Sequence, residues 1–283
     1  MFDRQAFEWF VGTLKYRNYG FSSRHWTSDV EDYTRRLNAD GIVKIPAQHM
    51  QMLTDIQQHF FSPQGRSEEA TDACYHVDES ERAKNMGRVF SAYVYASSRF
   101  VFPLVSDPLM LDIIWKYLGR RPLLRNLPVI QHSHALPQSS HDIQQHFHCD
   151  SGLHQISCIY LLSDLTEQMT HTEYALASNR ARKPVSHYYD RYSIDESSLQ
   201  SQFEMGTITG KAGDLFIFDA GNGYHRAKLI PHTDRRIIHL NFTAGSHMVK
   251  PHFHVDPALS ELIADQNMAQ YRQSFQHLAA GSK

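Results

Sequence analysis

Cysteine is scarce in this 283-residue chain: there are three, an odd number, and no CxxC pair. That excludes a disulfide framework and a thiolate zinc cluster, and it makes a reducing cytoplasm the expected location. Cys149 and Cys158 fall on strand-like runs and read as small apolar fillers rather than nucleophiles. No stretch approaches ~18 uninterrupted apolar residues, so no membrane span is expected. The opening Met1-Phe2-Asp3-Arg4 lacks the basic and then apolar pattern of a secretory signal. A dominant charge is missing too. Lys and Arg total 28 against 30 Asp and Glu, a net −2 that gives no general attraction to nucleic acid or an anionic membrane. Internal repeats and low-complexity tracts are absent. Histidine is what the chain has in excess, 19 residues, which favours a metal site and also multiplies accidental matches.

A hydrophobic content of 41% with 12% aromatics is enough for one buried core in a single domain spanning 1–283. Phe2, Phe7, Phe10, Val11 and Leu14 suggest a docked amphipathic helix, and Ser28 with Glu31 three residues later forms a capping box opening a second. That helix should run to about Asn38 and stop near Gly41, closing an N-terminal helical region, 1–41. Strand 42–45 follows, ended by Pro46, and then a helix carrying Met50, Leu53 and Ile56. Asp107-Pro108 is a helix start with its stop at Gly119, and Asp256-Pro257 opens a C-terminal helix over 256–279.

Between these helices the pattern becomes short β-branched or aromatic runs at 88–95, 127–134, 143–149, 155–162, 205–209, 215–218 and 235–242. Hairpin turns are expected at Gly210–Gly213 and Gly221–Gly223. The prediction is a mainly β fold with flanking helices: a double-stranded β-helix, or cupin-like jelly roll, over 42–243. Residues 169–204, poor in apolar runs, read as a loop-rich insertion near the barrel mouth.

The densest chemistry is in His146-Phe147-His148-Cys149-Asp150. Side chains two apart on a strand share a face, so His148 and Asp150 can grip one metal ion together. His225, after a glycine-rich turn, supplies a third ligand. Two histidines and a carboxylate on one side of a metal leave positions open, as in non-heme Fe(II) oxygenases. His146 shares that face, so a set of His146, His148 and a later His is the alternative. One carboxylate to balance the metal charge favours His148 and Asp150. Arg235 or Arg236 would bind an anion through its fork of donors, and alternation lets only one of them face inward. Gln131 reads either as a donor facing the same interior or as a sheet-edge amide. The cluster Arg180, Arg182 and Lys183 reads as a solvated loop or a grip on an anionic substrate. His247, His252 and His254 lack the spacing of a second metal site, and Trp9, Trp26 and Trp115 read as core.

The order of these motifs resembles the phytanoyl-CoA dioxygenase-like family of Fe(II)- and 2-oxoglutarate-dependent oxygenases. The matching stretches are Asp40-Gly41-Ile42-Val43-Lys44-Ile45-Pro46, Tyr160-Leu161-Leu162-Ser163-Asp164-Leu165, Ala212-Gly213-Asp214-Leu215-Phe216-Ile217-Phe218-Asp219 and His225-Arg226. The resemblance implies iron on His148, Asp150 and His225, with 2-oxoglutarate and O2 as cosubstrates. It also implies Arg236, eleven residues after His225, on the far carboxylate of 2-oxoglutarate. Asp150 stands where halogenating relatives carry a small residue, which implies hydroxylation of a C–H bond in a small molecule, with release of succinate and CO2. The family's glycine-proline turn and GSH ending are replaced by Gln168-Met169-Thr170-His171-Thr172 and Ala177-Ser178-Asn179, so the substrate pocket departs from the pattern. Two alternatives remain: a cupin-type metalloenzyme without 2-oxoglutarate, and a non-catalytic jelly-roll binding protein. The sequence demands no particular oligomeric state.

Overall fold

The computed structural model describes residues 25–47, 49–61, 77–78, 88–91, 102–120, 122–124, 128–135, 145–150, 154–188 and 190–244. The expected first and last helices, Trp9, and His247, His252 and His254 lie outside these residues.

Helix α1 (Ser28–Asp40) starts one residue earlier than its capping box suggests: Thr27, not Ser28, accepts from the Val30 amide. Glu31 is therefore free to bond Lys116 instead of the helix start. Val30, Thr34 and Leu37, spaced by four and three, form the buried stripe. Gly41 ends the helix at φ 78°, its amide donating to Leu37 O, and the chain turns directly into β1 (Ile42–Ile45). In α2 (Met50–Phe61), Leu53 and Ile56 are buried but Met50 is 47% exposed, so the apolar face is narrower than expected. Short elements β2 (Val77–Asp78), β3 (Arg88–Ser91) and α3 (Phe102–Val105) precede α4 (Pro108–Leu118), which begins at the Asp107 cap and ends at Gly119 as the sequence implies. Trp26 meets Trp115 edge-on, with ring centroids 6.0 Å apart, beside the core.

The remaining strands are β4 (Leu123–Leu124), β5 (Val129–Ala135), β6 (Ile156–Leu161), β7 (His171–Ala175), β8 (Met205–Ile208), β9 (Leu215–Asp219), β10 (His225–Lys228) and β11 (Asp234–Thr243), with helix α5 (Glu196–Gln202) before β8. A large antiparallel sheet runs β1-β9-β6-β11-β5-β3-β2, with β4 beside β11, and a small one runs β10-β7-β8. Strand alternation sorts their side chains into separate cores. Cys158, Tyr160, Ile217, Ile238, Leu240 and Phe242 face the helices. Ile159, Leu161, Phe216, Phe218 and Ile237 face inward and meet Tyr174 and Ile208 of the small sheet. The result is the expected mainly β jelly roll with flanking helices.

Three local expectations are corrected. Of 143–149, the described residues form no regular strand; His148 alone bridges, exchanging both backbone hydrogen bonds with His225 at 3.0 Å. The segment 169–204 is not simply an insertion at the mouth, because it opens with β7, the middle strand of the small sheet. Its remainder packs Ile194 and Leu199 with Phe147, Cys149, Ala175 and Tyr224 over that sheet's outer face. β7 escaped notice because its outer positions, His171 and Glu173, are polar yet buried, which hides the period-two signal. Finally, neither glycine turn is a hairpin: Gly210–Gly213 joins β8 to β9 and Gly221–Gly223 joins β9 to β10, each crossing from one sheet to the other.

Candidate metal centre

The His148–His225 bridge brings two segments, 77 residues apart, edge to edge at the inner side of the small sheet. Asp150 is anchored nearby by its amide, which donates to Ala220 O at 2.8 Å, in the turn leading to His225. Asp150 Oδ1 lies 3.7 Å from His148 Nε2 and 3.7 Å from His225 Nε2. The ligand atoms of these three residues fall within 4.8 Å of one another, and they are the group of this kind found among the described residues. Two ligands bonded at roughly 2.1 Å, as for zinc, reach across at most about 4.2 Å, so both nitrogen–oxygen separations fit one ion.

Both imidazoles are oriented by the backbone. His148 Nδ1 donates to His146 O at 2.8 Å and His225 Nδ1 donates to Gly223 O at 3.1 Å. A carbonyl only accepts, so each Nδ1 carries a proton, and in the neutral ring this tautomer turns the Nε2 lone pair toward Asp150. This is the outer hydrogen bond that orients ligating histidines in metal sites. Asp150 is oriented similarly, since Gln155 Nε2 donates to its Oδ2 and leaves Oδ1 facing the two rings. Gln155 is held by Asn241 Oδ1 at 3.3 Å, which also accepts from Ser157 Oγ at 2.7 Å. Two imidazoles and one carboxylate suit a divalent ion with open positions.

His146 does not join this group. Its side chain approaches Glu196 Oε1 at 3.5 Å and packs on the Tyr192 ring, with centroids 5.0 Å apart. The chain bends at His146, so the strand alternation that would have aligned it with His148 is lost. The thiols are equally remote from this chemistry. Burial pushes Cys149 up to about 12, and Cys158 is raised well above its ordinary value for the same reason.

Of the two adjacent arginines, Arg235 is the one that faces the barrel interior. Arg236 pairs with His132 and lies on the Ile238–Leu240 face, toward the helices. Arg235 pairs with Ser133 and shares the inner face with Ile237. It is buried, and its Nη1 donates to Thr172 Oγ1 at 2.9 Å across the barrel. The even positions Ile238, Leu240 and Phe242 are apolar while the odd His239 and Asn241 are polar, so the strand's own alternation already turns Arg235 rather than Arg236 inward. Thr172 faces Ala227, two residues beyond His225, so Arg235 reaches to roughly 7 Å along the sheet from that histidine. Gln131, opposite Ile237, is buried on the same inner face and donates to Ser133 Oγ at 3.0 Å.

Residues missed in the sequence line this interior: Gln155, Thr172, His239 and Asn241. Each sits at an inward position of its strand or next to one, a signal legible once the inner face is known. The basic cluster breaks up. Arg180 and Arg182 are exposed, whereas Lys183 is half-buried, donates to Ser178 O and lies 4.8 Å from the centre of the Tyr224 ring. A cavity of about 610 Å³, lined by Arg180 among others, lies between α1, α4 and the turn at Asn222, and none of the three candidate ligands lines it.

No protein-family model matches the sequence, and no curated protein matches it. Solved structures do. The non-heme alpha ketoglutarate dependent epimerase SnoN from nogalamycin biosynthesis superposes with a TM-score of 0.58 at 14% identity, over 81% of this chain and 92% of that one. EctD from S. alaskensis with bound Fe gives 0.59 at 15% identity, over 80% and 82%. The carbocyclase SnoK, also alpha ketoglutarate dependent, gives 0.53 at 13% identity, over 81% and 85%. The likeness establishes the fold. It is a jelly roll shared with enzymes of non-heme iron, at identities too low to carry their reactions across. Among the described residues, no helix is long and apolar enough to cross a membrane.

Proposed function

We propose that this protein is an Fe(II)- and 2-oxoglutarate-dependent oxygenase of the phytanoyl-CoA dioxygenase-like kind, acting in the cytoplasm on a small molecule. The observation that carries this reading is the convergence of His148 Nε2, His225 Nε2 and Asp150 Oδ1 inside the barrel, with both imidazole protons fixed on the far nitrogens. Bound there, iron(II) supplies O2 activation coupled to decarboxylation of 2-oxoglutarate to succinate and CO2, and so the oxidation of a substrate C–H bond. His148, Asp150 and His225 hold the metal. Arg235, in place of Arg236, pairs with the distal carboxylate of 2-oxoglutarate, with Thr172 fixing its guanidinium and Gln131 as a neutral donor beside it. The apolar inner residue Phe218, its ring 5.4 Å from that of His225, keeps water from the reacting end.

Hydroxylation is the outcome we propose, on the retained Asp150. SnoN and SnoK are an epimerase and a carbocyclase, so product analysis must separate hydroxylation from other oxidations. The placement of His146 against Glu196 weighs against the cupin-type ligand set that needed it. The test is anaerobic addition of Fe(II) and 2-oxoglutarate. Wild type should develop a visible charge-transfer band, and Asp150→Ala and His225→Ala should lose it while keeping their circular dichroism. A wild-type protein without the band, or one whose band survives both substitutions, would sink the proposal.

A further inference from the structure

His239 lies on the inner face of β11, between Ile237 and Asn241 and directly opposite Val129 of β5 and Ile159 of β6. A strand flanked on both sides within a sheet has no solvent edge. The accessible surface that the His239 ring retains therefore belongs to the barrel interior. Its Nε2 is nevertheless buried and makes no hydrogen bond. A buried polar atom without a partner has lost its hydration and gained nothing for it, so native interiors keep few of them and those few call for an explanation.

The surroundings supply one. On the inner face of β11 the imidazole stands between Arg235, at one end of the chamber, and Asn241, which accepts from the Gln155 that also holds Asp150. It thus sits along the stretch that a small dicarboxylate must occupy when one end is at the metal and the other at Arg235. Burial, opposed by Asp150 and reinforced by Arg235 and His225, brings its pKa down to about 4, so the ring is neutral at physiological pH. A neutral ring can offer one N–H without adding a second full positive charge beside Arg235.

We infer that His239 is a binding residue for the organic acid in the barrel, donating from Nε2 to one of its oxygens. This rests on the 2-oxoglutarate reading above and adds a contact to it. The acid's carboxylate and keto oxygens only accept, so the contact requires the tautomer with hydrogen on Nε2.

The experiment is anaerobic titration of 2-oxoglutarate into the Fe(II)-loaded full chain, followed by the charge-transfer band, for wild type, His239→Leu and His239→Gln. The leucine variant should bind iron as wild type does but need about tenfold more 2-oxoglutarate, the loss expected for one hydrogen bond to a charged group. Glutamine, which keeps an N–H, should recover most of that affinity. Nitrogen NMR of wild type loaded with diamagnetic Zn(II) gives a readout independent of variant folding: the His239 Nε2–H resonance should move when 2-oxoglutarate is added. Equal affinity of wild type and His239→Leu, or an unmoved resonance in the 2-oxoglutarate complex, overturns the inference alone. Wild-type protein that binds Fe(II) but no 2-oxoglutarate overturns it together with the proposed function.

Discussion

The two faces of the small sheet differ in chemistry, although they are built from the same strands in alternation. On the outer face, Arg226 donates to Glu173 and Glu196, each at 2.7 Å, and lies 4.4 Å from the centre of the Phe147 ring. Lys228 gives Glu173 a second partner at 2.7 Å. Burial works to raise Glu173, but the hydrogen bonds from Lys228 and Arg226 outweigh it and hold the carboxyl below its ordinary range. The chain neighbours of Phe147 and Arg226 are His148 and His225, which turn inward and keep their Nε2 atoms toward Asp150. The outer face pairs Arg226 and Lys228 with Glu173 and Glu196 and so ties α5 to the sheet. The other turns His148 Nε2 and His225 Nε2 toward Asp150, an arrangement that could hold a metal ion.

A pair of arginine substitutions tests that contrast most sharply. Arg235→Ala should leave the unfolding midpoint nearly unchanged while weakening 2-oxoglutarate binding on the order of 10- to 100-fold, as loss of a charge-assisted fork implies. Arg226→Ala should do the reverse, costing about 1–3 kcal/mol in urea denaturation because Glu173 and Glu196 lose their shared cation. Its 2-oxoglutarate affinity should stay close to wild type. If Arg226→Ala proves the more damaging to 2-oxoglutarate binding, the assignment of the two faces is wrong.

A smaller effect is expected where the faces meet. A Cβ on Gly223 would stand 1.7 Å from Tyr174 Oη, a side chain fixed in the inner core, and Gly223 O is the acceptor that orients His225. Gly223→Ala should lower stability by about 1–3 kcal/mol through overpacking. It should also weaken Fe(II) affinity by roughly tenfold, since it disturbs a ligand's outer hydrogen bond. Metal titration beside thermal unfolding checks both.

The smallest effect lies far from either face. His49 Nε2 meets Asp107 Oδ2 at 2.5 Å, and that hydrogen bond raises the histidine above its ordinary value. A raised folded pKa means the stabilisation is fully present below the unfolded value of about 6.5 and is lost as pH rises through the folded one. With 30% of the His49 side chain exposed, the contribution should stay below about 1 kcal/mol. Urea melts across pH 5–9 (roughly, around the unfolded value) should have a component that His49→Gln removes.

Local punctuation was well marked in the sequence. Asp107-Pro108 and Gly119 bounded α4, Gly41 ended α1, and the apolar runs located most strands, because caps, proline and period-two patterns act within a few residues. The His148, Asp150 and His225 grouping was legible in motif order but not through the strand that seemed to justify it. An edge bridge and the Ala220 contact, not a regular strand, align those residues. β7 was hidden because its polar outer residues are buried under a segment that follows it in the chain.

The sequence by itself determined the fold class, the candidate ligands and the presence of an inward arginine in the pair Arg235–Arg236, since these depend on residue type and short-range periodicity. Only the tertiary structure decided that Arg235 is the inward one, that His146 belongs to Glu196, and that Gln155 and His239 line the chamber. Those outcomes depend on which sheet face meets helices and which meets the barrel interior. Contacts between distant segments fix that choice, here the pairing of β11 with β5 and β6 and the bridge from His148 to His225.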